Sequence, residues 1–226
     1  MFGLLDFPSR LRARVVIPDL IALHPKRVLD LGSGTGCYSF YASRKQNTDV
    51  SGIEINQRRV SESNRIAEYL ERGNVKFLLG DAHECLGNFG SGSFDVALAI
   101  EVLQLLPNIR PALGEIYRVL KAGGYLIGHV PVLGHLRPYE VTLFDDQRIQ
   151  QLLAEANFQT LKIIPTLGGI LDKLCWVFSG ISRSGFLAGL LFPLMLLVSR
   201  AFPVENRDGR YRFFVARKPA EEMSRN

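Results

Sequence analysis

Three glycines, Gly32, Gly34 and Gly36, sit between a short apolar run, Val28 to Leu31, and the segment CYSFYASRK. Residues without a Cβ at a strand-to-helix corner let the backbone turn sharply and let a ligand approach it closely. Asp30 lies just before the glycines, and Glu54 ends the next apolar run, VSGIEI, about twenty residues past Gly32. A carboxylate at that spacing accepts from both the 2′ and 3′ hydroxyls of a ribose, and its charge repels a 2′-phosphate. The dinucleotide pattern G-x-G-x-x-G wants glycine at position 37, where this chain has Cys37, so NAD is the weaker nucleotide candidate.

A second set of groups bears on proton transfer. His129 falls toward the end of an apolar run, and His135 lies in the loop after it with Tyr139 and Glu140. A histidine near pH 7 can take a proton from a hydroxyl. The alternatives are a satisfied core histidine at 129 and a solvated one at 135 beside Arg137. Cys37, Cys85 and Cys175 are an odd number without C-x-x-C spacing, which argues against a disulfide framework or a zinc site, and no metal site is expected.

The elements that must position these groups alternate along the chain. Strands are expected at Val28–Leu31, at 50–55, in NVKFLLGDA, at 93–102, in YLIGHV, in FQTLKIIP and at 211–218. Between them run amphipathic helices: Leu113, Ile116, Tyr117 and Leu120 share a face that Gly123 and Gly124 close, and Ile149, Leu152, Leu153 and Ala156 share another. This alternation predicts an α/β fold, a Rossmann-like seven-stranded, mostly parallel sheet with helices on both faces. The 226 residues read as a single domain: an N-terminal helical segment at 1–24, a ligand-binding core at 25–165, an apolar insertion at 166–209 and a last strand at 210–218. With 47% hydrophobic and 22% charged residues, disorder and low complexity are excluded, while a net charge of +5 selects no partner by itself.

VLDLGSGTG, GIEI, GDA, FDVALAIEV and EIYRVLKAGGYLIG, in this order, resemble the successive motifs of class I S-adenosylmethionine-dependent methyltransferases. The R-V-L-K-x-G-G segment, Arg118 to Gly124, is similar to the quinone-biosynthesis branch. The resemblance implies an antiparallel last strand beside the sixth and S-adenosylmethionine as cofactor. Asp30 and the turn through Gly32, Gly34 and Gly36 would flank its methionine part and Glu54 its ribose. Asp81 would accept from the adenine amino group with Ala82 beside the ring, Ile55 would pack on the adenine, and Glu101 would lie by the amino-acid end or the acceptor. For Asp81 a helix cap, for Ile55 ordinary core and for Glu101 a salt-bridged strand end are the competing readings. Methyl transfer is an in-line displacement that asks chiefly for alignment, with a base only where the acceptor loses a proton; His135, His129 and Glu101 are the candidates. No N-P-P-Y or D-P-P-Y follows the fourth strand, where Glu101-Val102-Leu103-Gln104 stands.

Some 45 residues separate Pro165 from Tyr211, too many for a hairpin loop. A helix through the uncharged stretch from Ser184 to Ser199 would reach about 24 Å, short of a bilayer core, and Pro193 would kink it. A helical hairpin in the bilayer interface is expected, with Trp176, Lys173, Arg183 and Arg200 at headgroup level; a buried lid or dimer face is the alternative. The expected acceptor is therefore small or lipid-like: an isoprenoid, a quinone precursor or a lipid-linked molecule, with peripheral membrane contact through residues 167–205. No nucleic-acid partner is expected, because the basic residues form no patch interleaved with aromatics. Arg10, Arg12 and Arg14 precede an apolar stretch broken by Pro18 and Asp19, so no signal peptide is expected and the location is read as cytoplasmic, at the inner face of the membrane where peripheral. The competing functions are a noncatalytic membrane-associated scaffold and an NAD-linked oxidoreductase.

Overall fold

The computed structural model describes residues 7–44, 48–132, 144–182 and 185–220. Seven strands form one sheet: β1 (Arg27–Leu31), β2 (Asp49–Glu54), β3 (Val75–Leu79), β4 (Phe94–Ile100), β5 (Leu120–Pro131), β6 (Gln159–Thr166) and β7 (Tyr211–Arg217), in the order β3-β2-β1-β4-β5-β7-β6. β1 to β5 pair in parallel, as the pattern of strands and helices predicts, and β7 runs antiparallel between β5 and β6, as the family resemblance implies. β6 therefore points the same way as β5, and Thr166 ends on the same rim as Leu31, Glu54 and Ile100.

Alternation along the strands divides the core in two. Leu29, Leu31, Phe94, Leu126, Val130 and Phe214 face one side, where α4 (Ala82–Gly87), α5 (Ile109–Val119) and α6 (Asp146–Glu155) cover them. Val28, Val96, Leu98, Ile127, Phe213 and Val215 face the other, under α1 (Phe7–Ala22), α2 (Cys37–Ala42) and α3 (Gln57–Tyr69). A period of two with both faces apolar is what a sheet covered on both sides requires. At Gly128 a side chain would run into the Phe214 ring, so glycine there lets β5 and β7 pack. One expected boundary moves: α5 stops at Val119 rather than at the glycine pair, because Leu120 already pairs with Phe94 on β4.

The expected insertion holds two helices, α7 (Ile170–Ser182) and α8 (Gly185–Ala201). They do not stand apart. Leu171 and Phe178 of α7 and Met195 of α8 bury against Phe7 and Leu11 of α1 in a third apolar cluster. The Phe7 and Phe178 rings lie 4.7 Å apart, and Arg14 donates to the Ser199 and Phe202 carbonyls. The opposite side of the pair stays open: Ile170, Val177, Leu190, Leu194 and Leu197 are all exposed. Among the described residues no helix is long and apolar enough to cross a membrane.

Candidate active site

The glycine turn closes through backbone bonds from Ser33 N to the Ile53 carbonyl, Gly36 N to the Ser33 carbonyl and Phe40 N to the Gly36 carbonyl, at 2.8–2.9 Å. Gly32, Gly34 and Gly36 all have positive φ, 67°, 58° and 78°, the left-handed region that L side chains rarely adopt. At Gly32 a Cβ would stand 2.6 Å from Val102, and at Gly36 2.5 Å from Phe77. At Gly34 it would meet nothing. The outer two glycines are thus demanded by packing, and the middle one opens onto free space.

Glu54 braces this turn. Its Oε2 accepts from Gly34 N at 2.9 Å and its Oε1 from Asn56 N at 3.0 Å, with Arg59 3.9 Å away. Each carboxylate oxygen retains a further acceptor site. Asp30 is buried below and accepts from the Ser39 hydroxyl at 2.6 Å; burial pushes its carboxyl up to about 6, with Ser39 opposing and Glu54 adding to the rise. Ile55, next to Glu54, is 70% exposed, which removes the ordinary-core reading. Gly80 N donates to the Glu54 carbonyl, which brings the Asp81–Ala82 corner against the end of β2. Asp81 precedes α4 and its carbonyl accepts from Cys85 N, while Ala82 is buried.

Glu101 follows β4 with φ of 58°, and its neighbour Val102 packs on Gly32, so it shares the rim with the turn. His129 Nδ1 lies 2.6 Å from Glu101 Oε1 and Nε2 3.0 Å from Thr166 Oγ1, and the ring stacks on Tyr211 at 5.2 Å. The ring is fully buried, and burial holds its pKa below the ordinary value despite the Glu101 partner. Both ring nitrogens of His129 are engaged inside the protein, the arrangement of the satisfied core histidine that is the alternative to a base. His135, Tyr139 and Glu140 lie outside the described residues.

Thr166, Tyr38 and Ser33 complete the rim without any local sequence signal. Burial drives the Tyr38 phenol well up, offset in part by Arg12. Ser33 Oγ and Gln104 Oε1 are buried without a hydrogen-bond partner among the described residues. Buried polar atoms in that state call for a polar ligand or water. A cavity of about 630 Å³ touches none of these groups; Ile17, Leu20, Tyr41 and Arg44 line it beside Lys26 and Thr48, at the opposite ends of the strands.

A family model described as "Methyltransferase domain" matches residues 24–163. The chain is 29% identical over 182 residues to O-methyltransferase cnsE of Penicillium expansum, covering 71% of this chain and 65% of that one. It is 31% identical to the demethylmenaquinone methyltransferase of Leptospira interrogans, covering 64% and 53%. The chain thus spans less than two thirds of the length of these curated relatives. Among solved structures it is similar to geranyl diphosphate C-methyltransferase of Streptomyces coelicolor, solved with Mg2+, geranyl diphosphate and S-adenosyl-L-homocysteine: TM-score 0.62, 15% identity, 85% of this chain and 73% of that one.

Proposed function

Because this chain belongs to the methyltransferase-domain family, we propose that it transfers a methyl group from S-adenosylmethionine to a lipid-like acceptor met at a membrane surface. The observation that carries the cofactor half is Glu54, whose carboxylate sits under the open Gly34 beside exposed Ile55. The donor set fits the cofactor: a buried acid for the ribose, an exposed apolar side chain for the base, and the orphaned Ser33 hydroxyl for a polar ligand atom.

In this reading Asp30, Gly32, Gly34 and Gly36 hold the methionine part, Glu54 the ribose, Ile55, Asp81 and Ala82 the adenine, and Glu101 the reacting end. Bound there, the cofactor supplies a methyl group on a positively charged sulfur. The protein's work is then to align the acceptor behind that carbon and to keep water out. Asp30 and Glu101 are acids beside a cationic ligand, and their charge favours the donor over its neutral demethylated product.

The acceptor half rests on α7 and α8. Leu190, Leu194 and Leu197 lie at i, i+4 and i+7 on one open stripe of α8, with Arg200 exposed at its end and Lys173 exposed on α7. An apolar stripe edged by cations suits shallow insertion among anionic headgroups. β6 delivers this pair of helices at the rim where the cofactor residues stand, so an acceptor drawn from the bilayer would arrive next to Glu101. Trp176's side chain and Arg183 are outside the described residues.

The test is incubation with labelled S-adenosylmethionine and membrane lipid extract, followed by mass analysis. A methylated lipid is expected; label entering only water-soluble compounds would overturn the acceptor half. Calorimetry with S-adenosylhomocysteine tests the cofactor half independently.

A further inference from the structure

Glu101 is fastened to one neighbour through both its backbone and its side chain. Its amide donates to the His129 carbonyl at 2.8 Å, and its Oε1 lies 2.6 Å from His129 Nδ1. Its left-handed φ of 58° is uncommon for a residue with a long side chain and persists only where the surroundings impose it. The ring that imposes it is itself fixed, with Thr166 Oγ1 at Nε2 and Tyr211 stacked on its face. Thr166 and His129 are both fully buried, while the Glu101 side chain is a quarter exposed. Among the described residues Glu101 Oε2 has no hydrogen-bond partner.

We propose that Glu101 takes the acceptor's proton during methyl transfer and that His129, held by Thr166, is the positioning residue that aims it. This rests on the methyl-transfer reading above. A neutral imidazole at pH 7 has one donor and one acceptor nitrogen. With Glu101 accepting at Nδ1–H and the Thr166 hydroxyl donating to Nε2, the tautomer is set and Glu101 Oε2 is left to face the acceptor. Arg12 of α1 is the cation whose field reaches the ring, and it acts in the same direction as burial, against protonation. As the acceptor oxygen forms its bond to the methyl carbon, the carbon–sulfur bond breaks with its electron pair going to sulfur. The hydroxyl proton passes to Glu101 Oε2 and from its exposed side to water. The net change is one methyl gained and one proton released.

Three variants and two readouts test this. Glu101→Gln removes the proton acceptor in nearly the same shape. His129→Leu removes the Nδ1 donor, and His129→Asn puts an amide donor back near the Nδ1 position. With labelled S-adenosylmethionine and membrane lipid extract, Glu101→Gln is expected to lose about 100-fold in kcat. His129→Leu is expected to lose about 10- to 100-fold in kcat with little change in KM, and His129→Asn to recover most of it. Calorimetric affinity for S-adenosylhomocysteine should stay within about 3-fold in both His129 variants, since their defect is in aim rather than in cofactor binding.

The second readout needs no turnover: ¹⁵N NMR of histidine-labelled protein at pH 7.5 should show the His129 proton on Nδ1, and Thr166→Val should perturb that signal. Wild-type transfer rates in Glu101→Gln, or a His129 proton resident on Nε2, would overturn the proposal. Failure of the underlying reading looks different: wild-type protein giving no heat with S-adenosylhomocysteine.

Discussion

A single buried carboxylate shows how a ligand site weakens the fold that carries it. Asp30 has a folded pKa of about 6 against 3.8 unfolded, so between these values the folded state binds the extra proton and stability falls as pH rises. Above pH 6 the whole cost is present, about 3 kcal/mol as an order of magnitude for a shift of about 2 units. Asp30→Asn is therefore expected to be more stable than wild type at pH 7.5 by ~1–3 kcal/mol, with the difference vanishing near pH 4, and to bind S-adenosylhomocysteine more weakly. Urea denaturation at the two pH values checks the first part, and an Asn variant less stable at pH 7.5 contradicts it. Glu54 carries the opposite expectation. Both its oxygens accept backbone N–H groups, so Glu54→Ala should cost stability, about 2–4 kcal/mol, together with cofactor affinity.

The strand-to-helix corner is where element geometry can be separated from ligand contact. Gly32→Ala meets both a left-handed backbone and Val102, whereas Gly34→Ala meets the backbone penalty alone, about 1 kcal/mol. The expected order of Tm loss is Gly32→Ala well above Gly34→Ala, while Gly34→Ala, lying under the open space, still weakens S-adenosylhomocysteine binding by calorimetry. The two faces of α7 and α8 separate in the same way. Phe178→Ala, opening a hole against Phe7, should cost about 3–5 kcal/mol. Leu190→Ser, Leu194→Ser and Leu197→Ser combined should leave Tm within a few degrees and abolish co-sedimentation with anionic phospholipid vesicles. Retained sedimentation would remove the membrane role of that stripe.

On the scale of the whole chain, the rim joins residues at the ends of β1 to β6, the α1 cover and the α7–α8 pair, so ligand occupancy should be felt globally. S-adenosylhomocysteine at about 100 times its Kd should add about 2.7 kcal/mol, which for a chain of this size is a Tm rise of about 5–10 °C. An unmoved transition, followed by both fluorescence and circular dichroism, would mean that the rim does not close on this ligand. Lys162 of β6 pairs with Asp19 of α1 at 2.6 Å, and Arg14 ties α1 to α8, so the cover is anchored at its middle and near its C-terminal end.

The antiparallel seventh strand came from the family resemblance, whereas residue order alone determined the parallel sheet and the corner of three glycines. These depend on periods of two and 3.6 and on turn chemistry, which are local properties of the chain. The same holds for Glu54, placed by its distance from the glycines within one strand–helix–strand unit. Which neighbours His129 meets was decided by the tertiary structure. Glu101, Thr166 and Tyr211 come to it from β4, β6 and β7, and only the register of those strands, set by packing across the whole sheet, brings them within hydrogen-bond and stacking distance. Exposure was decided at the same level: Ile55 and the outer stripe of α8 are apolar in sequence, and only the placement of α1, α4 and α7 determines which apolar side chains find a neighbour and which are left to meet a ligand.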